Sequence, residues 1–259
     1  MSLRADYHIH SNYSDGRPLP SMLAAAAEAG LEAVGVTDHC NVAARGVPTE
    51  RKRELGFNLD LTYERRREAV DSLRTGTDLT VYDAVELDYD ARDEDAIADF
   101  LDGASFDYAI GSVHAVDDVE IFDRSELAAL AEPELDRLVD RYYEAVVALV
   151  ESELFDVVGH VDAIERTPEL RNHTTSEHYE LVADALDGSS TRPEINAGRA
   201  LDEYGRFHPA PDFLAACRDR DVRFVPGTDA HRPDELLDRA PVLADHFADL
   251  GLEPAAPFR

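Results

Sequence analysis

A chain of 259 residues with 55 acidic and 25 basic side chains carries a formal net charge of −30, which repels nucleic-acid backbones and anionic membrane surfaces. No run approaches the ~18 apolar residues that a membrane span needs, the first residues show no basic stretch followed by an apolar one, and Cys40 and Cys217 lack the spacing of a disulfide framework or a thiolate metal site. The expectation is a cytoplasmic protein of one domain, residues 1–259, with buried free thiols and with neither a membrane nor a long nucleic acid among its partners.

Short apolar runs alternate with longer segments of helical period, the pattern of βα units around a parallel sheet. ADYHIH (5–10) is followed by a helix over 21–29 that Gly30 closes. EAVGVTDH (32–39) precedes a long segment, 45–61, and a helix over 63–73. TVYDAVEL (80–87) leads to a helix over 93–101, and YAIGSVH (108–114) to one over 133–152. FDVVGHVD (155–162), PEINAG (193–198) and VRFVPGTDAH (222–231) precede helices over 178–186, 211–220 and 234–250. Seven strands, with no linker, low-complexity stretch or internal repeat between them, predict an α/β fold, a distorted (β/α)7 TIM-like barrel. An open doubly wound sheet would show the same alternation. The stretch VDRYYEAVVALV (139–150) is apolar enough to pack on the barrel, the alternative being a dimer contact through Tyr142 and Tyr143.

Metal-competent residues fall at the carboxyl ends of these strands, where a barrel keeps its active site. His8 and His10 end the first strand, His39 the second, Glu86 the third, His114 the fourth, His160 the fifth, and Asp229 with His231 the seventh. In an extended strand residues i and i+2 share a face, so His8 and His10 can offer both imidazoles to one cation. A single histidine on a strand is usually a satisfied core or surface residue. Six at strand ends are harder to assign to coincidence, because His173, His178, His208 and His246 fall in helical or loop stretches instead and are read as structural. Imidazoles and carboxylates without thiolates suit Zn, Mn or Fe.

In this order and spacing HIHSNYSDG, VTDH, VEL, GSVH, GHVD and GTDAH resemble the motif series of the PHP (polymerase and histidinol phosphatase) superfamily, from Asp6 to His231. The resemblance implies a distorted (β/α)7 barrel with two or three divalent ions at its mouth. It implies that His8, His10, Glu86 and Asp229 hold one ion, that Glu86 bridges to a second held by His114 and His160, and that Asp15, His39 and His231 hold a third. Asp15 is either a ligand or the acid that protonates a leaving group. Paired divalent ions lower the pKa of a shared water toward about 7 and hold it in line with phosphorus, so phosphate-ester hydrolysis is the reaction such a cluster suits.

Arg166, in GHVDAIER, and Arg199, in EINAGRA, are the arginines placed to add bidentate phosphate contacts and so to share in catalysis; the alternative is pairing with the plentiful carboxylates. Asn196 either orients substrate or caps its strand. GSVHAVDD, GHVDAIER and PEINAGRA look like the stand-alone histidinol-phosphate phosphatases, which implies a small phosphorylated substrate, L-histidinol phosphate, in histidine biosynthesis. The 45–61 segment resembles the insertion those enzymes place over the site. Two alternatives stay open: a PHP phosphoesterase acting on nucleotides, a 3′,5′-bisphosphate phosphatase or short-oligonucleotide exonuclease, and a non-catalytic module braced by its metals. Dispersed acidic residues with Lys52 as the single lysine resemble proteins of salt-accumulating halophilic archaea.

Overall fold

The computed structural model describes residues 3–56 and 58–258. Residues 1, 2 and 259, and Phe57 within the 45–61 segment, lie outside that description. Along the described chain run β1 (Ala5–Ile9), β2 (Ala33–Val36), β3 (His39–Cys40), β4 (Thr80–Asp83), β5 (Val85–Asp88), β6 (Ala109–Ser112), β7 (Ala115–Val116), β8 (Val119–Glu120), β9 (Val157–Val158), β10 (Arg192–Asn196) and β11 (Val225–Gly227). Parallel pairing connects β1–β2–β4 on one side and β3–β5–β6–β9–β10–β11 on the other. Because β3 continues the path of β2, and β5 that of β4, the two arcs form one wall. The wall closes on itself. Ile9 bridges Ala230 in parallel, His10 N donates to Ala230 O at 2.9 Å, and Asp229 N donates to His8 O at 2.8 Å. Seven strand positions in a closed parallel ring make the distorted (β/α)7 barrel that the sequence predicts, not the open sheet.

The distortion has a physical source. The second strand is interrupted at Thr37 and Asp38 and the third at Ala84. At both breaks a polar group leaves the ladder to meet Arg66, on the helix Tyr63–Arg74. Arg66 Nη1 lies 3.1 Å from Asp38 Oδ2, its Nη2 lies 2.7 Å from Asp83 Oδ1, and Nη2 also donates to the Ala84 carbonyl. Arg66 and Asp38 are both 0% exposed. Asp38 further accepts from Ser11 N at 2.7 Å and from the Ser14 hydroxyl at 2.8 Å. One buried guanidinium therefore ties a helix to two strand ends and, through Asp38, to the loop after β1.

The helices are α1 (Leu19–Glu28), α2 (Gly46–Leu55), α3 (Tyr63–Arg74), α4 (Glu94–Ala104), α5 (Arg124–Leu127), α6 (Glu132–Glu151), α7 (Ser176–Asp187), α8 (Pro211–Ala216) and α9 (Pro233–Leu250). On α6, Leu138, Val139, Tyr142, Tyr143, Val146, Leu149 and Val150 are buried at the spacing of one helix face. Tyr142 and Tyr143 are 1% exposed, so this helix packs on the barrel and leaves neither ring free for a dimer contact. Cys40 and Cys217 are free and buried, as expected. Three features differ from the sequence expectation. Much of 45–61 is helix α2, whose GVPTERKREL sequence has no apolar stripe and buries no side chain, so periodicity had nothing to register. The antiparallel hairpin β7–β8 and the single turn α5 occupy a stretch to which the sequence assigns no element, and α8 stops at Ala216 where a helix to 220 was expected.

At the amino-terminal ends of the strands the C-terminal tail folds across the barrel. The Phe258 ring lies 4.7 Å from Tyr82 and 6.3 Å from Tyr7 between centroids, and Arg192 Nη1 donates to the Phe258 carbonyl at 2.7 Å. Among the described residues no helix is long and apolar enough to cross a membrane.

Burial by itself would raise the Asp38 carboxyl. The Arg66 charge and the serine hydrogen bonds outweigh burial and hold it below the ordinary carboxylate value. A depressed folded value means stability that is present above the unfolded carboxylate pKa and is lost as pH falls through the folded one. Arg66→Met leaves Asp38 buried without its cation and leaves Asp83 to Arg67 alone. It should cost about 3–5 kcal/mol of unfolding free energy at neutral pH and move the acid-unfolding midpoint upward, both read from denaturant and pH titrations of circular dichroism.

Candidate metal centre

The β1 alternation turns His8 and His10 to one face, with both rings 0% exposed and their centroids 5.1 Å apart. The loop beyond β11 brings Asp229 to them, its Oδ1 3.2 Å from His10 Nε2 and 3.9 Å from His8 Nε2. Glu86, from β5, is buried at the centre. Its Oε2 lies 3.3 Å from His8 Nε2 and 2.9 Å from His39 Nδ1, while its Oε1 lies 3.0 Å from His160 Nε2 and 3.5 Å from His114 Nε2. Asp15 closes the outer side, its Oδ1 3.3 Å from His231 Nε2 and 3.8 Å from His39 Nε2.

Every residue expected to hold metal thus reaches one place. Among the described residues, ligand atoms within 4.8 Å of one another define three groups: His8, His10 and Asp229; His10, Asp15, His39 and His231; and His39, Glu86 and His114. His10 and His39 each belong to two of these groups, a sharing the resemblance did not imply, and His160 approaches the third through Glu86. Two of these residues sit on unusual backbone. His160 has φ 23° and Asp229 φ 52°, left-handed conformations that cost a side-chain-bearing residue about 1–3 kcal/mol and collect at functional sites.

The donor set fits divalent cations. His8 Nε2, both ring nitrogens of His10, and Glu86 Oε2 are buried and have no hydrogen-bond partner among the described residues, although an unsatisfied buried polar atom costs about 1–3 kcal/mol. Cations between these atoms would satisfy them together. The charges agree. Burial pushes Glu86 and Asp229 up, but the facing imidazoles, His39 and His8 for Glu86 and His10 and His8 for Asp229, hold both well below the usual carboxylate range. Burial also opposes ionisation of Asp15, and His231, His39 and His10 override it. An ionised Asp15 suits an acceptor or a ligand. His10 is pushed down to about 4 by burial and by the neighbouring His231 and His39, leaving it neutral and ready to coordinate.

Above the donors lies a cavity of about 280 Å³, lined by Asp15, His39, Glu86, His114, His160, Asp229 and His231 and, farther out, by α2, β8, Phe122, Arg166 and Arg199. The two arginines differ. Arg166 lies 3.5 Å over the Phe122 ring, and among the described residues no carboxylate stands within ion-pair distance of it; burial and the adjacent Arg199 charge lower it to about 10. Arg199 is paired with Asp202 at 2.9 Å. Asn196, a candidate substrate contact in the sequence, is 1% exposed. Its Nδ2 donates to Glu194 Oε2 at 3.0 Å and its Oδ1 accepts from Gly198 N at 2.7 Å, so its amide is spent bracing the end of β10. The remaining histidines are structural: His173 pairs with Asp136, His178 with Asp140 and His208 with Asp162, and His246 stacks on Phe207.

The sequence pattern of the PHP domain matches residues 6–191. The chain belongs to the PHP family. A Deinococcus radiodurans protein named "Probable histidinol-phosphatase" is 29% identical over 260 aligned positions, covering 97% of this chain and 95% of that one. The histidinol-phosphatase of Lactococcus lactis is 26% identical over 88% of this chain and 84% of its own. A crystal structure of histidinol phosphate phosphatase from Lactococcus lactis, complexed with zinc, L-histidinol and phosphate, superposes with a TM-score of 0.76 at 23% identity, covering 99% of this chain and 97% of that one.

In this PHP domain several residues that the sequence reading passed over orient the donors. His8 Nδ1 lies 2.7 Å from Glu194 Oε1, and Glu194 Oε2 accepts from His160 N at 3.0 Å. His114 Nδ1 lies 2.6 Å from Asp88 Oδ1, and the Ser112 hydroxyl donates to Glu86 at 2.6 Å. Each contact fixes a ring or carboxylate so that its other atom faces the centre. Strand alternation carried the signal, since Asp88, Ser112 and Glu194 stand two positions from Glu86, His114 and Asn196. Gly227 makes room for one of them: a Cβ there would come within 1.8 Å of Glu194 Oε1 and 2.7 Å of His8 Cβ. Replacing Glu194 by Gln should weaken zinc binding about 10–100-fold, measured by competition with a chromophoric chelator; unchanged affinity would remove Glu194 from the centre.

Proposed function

We propose that this PHP protein is a metal-dependent phosphatase that hydrolyses L-histidinol phosphate to L-histidinol and phosphate in histidine biosynthesis, acting as a single domain. The observation that carries the reading is geometric: imidazoles and carboxylates from six of the seven strand positions face one another at the bottom of a cavity whose wall bears an arginine without a carboxylate partner. The names of the relatives, and the zinc, L-histidinol and phosphate bound by the Lactococcus lactis protein, supply the substrate.

In this reading His8, His10, Glu86 and Asp229, then Glu86, His114 and His160, and finally Asp15, His39 and His231 hold two or three divalent ions, Zn, Mn or Fe. Such ions, when bound, supply an activated water for attack on phosphorus and positive charge for the phosphoryl oxygens. The chain does the rest. Arg166 is a free, pre-placed donor whose planar fork matches two phosphoryl oxygens, and the Phe122 ring beneath it fixes its plane. Arg199 can join only by loosening its pair with Asp202. Asp15, ionised and held by His231 and His39, is a ligand for the outer ion. Buried free Cys40 and Cys217 suit the reducing cytoplasm in which such an enzyme would work.

Phosphate release from L-histidinol phosphate, compared with adenosine 3′,5′-bisphosphate in Mn or Zn at molar KCl, tests the reading; release from the bisphosphate alone would transfer the protein to nucleotide chemistry. Glu86→Gln removes the negative charge shared by the imidazoles and should cut turnover by orders of magnitude, so near-normal steady-state kinetics would refute the centre. Arg166→Ala should lower kcat/KM by about 10–100-fold, the worth of charge-assisted hydrogen bonds to a phosphoryl group. Arg199→Ala, which also frees Asp202, should lower it less.

A further inference from the structure

Among the described residues two arginines are buried, Arg66 and Arg239. Arg66 faces carboxylates. Arg239, on α9 and 5% exposed, spends its guanidinium on backbone: Nη1 donates to Asp229 O at 2.9 Å and to Thr228 O at 3.4 Å. Carboxylates stand farther off, Glu235 Oε1 3.5 Å and Asp202 Oδ2 4.0 Å from Nη2. Taking a guanidinium out of water is costly, and a carbonyl needs no cation to be satisfied, so the pairing calls for a reason beyond the fold of α9.

The two carbonyls belong to the loop that leaves β11 for the metal centre. Asp229 has φ 52°, and such a conformation persists only where its surroundings impose it. Main-chain bonds to β1 impose it from the barrel side, Asp229 N donating to His8 O at 2.8 Å and His10 N to Ala230 O at 2.9 Å. Helix α9 holds the other side. Arg239 takes the carbonyls of 228 and 229, and one turn earlier Glu235 Oε2 accepts from His231 N at 2.8 Å and from Arg232 N at 3.1 Å. The Asp229 carbonyl also lies 3.0 Å from His231 Nδ1. A carbonyl only accepts, so in the neutral ring Nδ1 carries the proton, and Nε2, 3.3 Å from Asp15 Oδ1, keeps its lone pair for an ion.

We propose that Arg239 and Glu235 are positioning residues of the metal centre, which lock the 228–232 loop so that the Asp229 carboxylate and His231 Nε2 both face the ions. Neither residue is itself a donor to an ion. Arg239 acts through hydrogen-bond geometry and not through its charge, which alone would repel a cation and which Glu235 and Asp202 offset. Glu86, His114 and His160 are carried by β5 and by the ends of β6 and β9, so the ion they would share does not depend on this loop. The inference rests on the metal-binding part of the proposed function. A native protein that retains no zinc defeats that reading, whereas a native zinc complement that the variants leave intact defeats this inference alone.

Equilibrium dialysis against zinc buffers, with bound zinc counted by a chromophoric chelator, tests the assignment, and urea unfolding of the metal-free protein is followed beside it. Arg239→Met should bind the ions that use Asp229 and His231 about 10–100-fold more weakly, while the ion of Glu86, His114 and His160 keeps its native affinity. Arg239→Lys should recover part of the loss, since an ammonium reaches a carbonyl but has no second nitrogen to turn toward Glu235. Glu235→Ala leaves Arg239 in place, decides the matter if Arg239→Met does not fold, and should weaken the same ions. Native zinc number and affinity in Arg239→Met, or in Glu235→Ala, would overturn the proposal. So would a weakening of every ion alike with a matching loss of metal-free stability, which would make the pair a support of the barrel and nothing more.

Discussion

One buried carboxylate organises this molecule. Glu86, 1% exposed, stands within 3.5 Å of the imidazoles of His8, His10, His39, His114 and His160. In a medium where an isolated charge is very costly, a single anion has drawn side chains from four strand positions around itself. The cost of leaving it unmatched is what makes the arrangement specific: displacing any one strand would strand both a carboxylate oxygen and a ring nitrogen away from water.

A polar centre inside a barrel needs support from behind, and the chain supplies it in layers. Glu194 and Asp88 hold the rings of His8 and His114 from the side away from Glu86. Behind the loop that carries His10 and Asp15, Arg66 holds Asp38, which in turn holds Ser11 and Ser14. The breaks in the second and third strands follow from this second arrangement. The barrel departs from ideal geometry where its backbone serves a buried charge, and the departure places His39 where it can face both Glu86 and Asp15.

How much of this was legible in the sequence differs by element for physical reasons. The barrel strands were readable because each is a short apolar run ending in a polar residue, and His8 and His10 because a two-residue period fixes a face. The i±2 neighbours Asp88, Ser112 and Glu194 obey the same rule and were equally within reach. Helix α2 was not: its side chains meet solvent and ions rather than a core, so no apolar period marks it. Nor were the fates of the two arginines. Arg166 and Arg199 look alike in sequence, and only the tertiary surroundings give one an aromatic face and the other a carboxylate.

The ring closure carries a consequence for biosynthesis. Its last seam joins residues far apart in the chain, Asp6 to Thr228, 222 positions later, with Thr228 N donating to Asp6 at 3.0 Å. Contacts of such long span form slowly and late, so while the chain emerges from the ribosome its first strand has an unpaired edge and two exposed imidazoles. Vectorial synthesis thus separates the birth of the first donors from the arrival of Asp229 and His231, and delays a complete pocket until the seventh strand has been made.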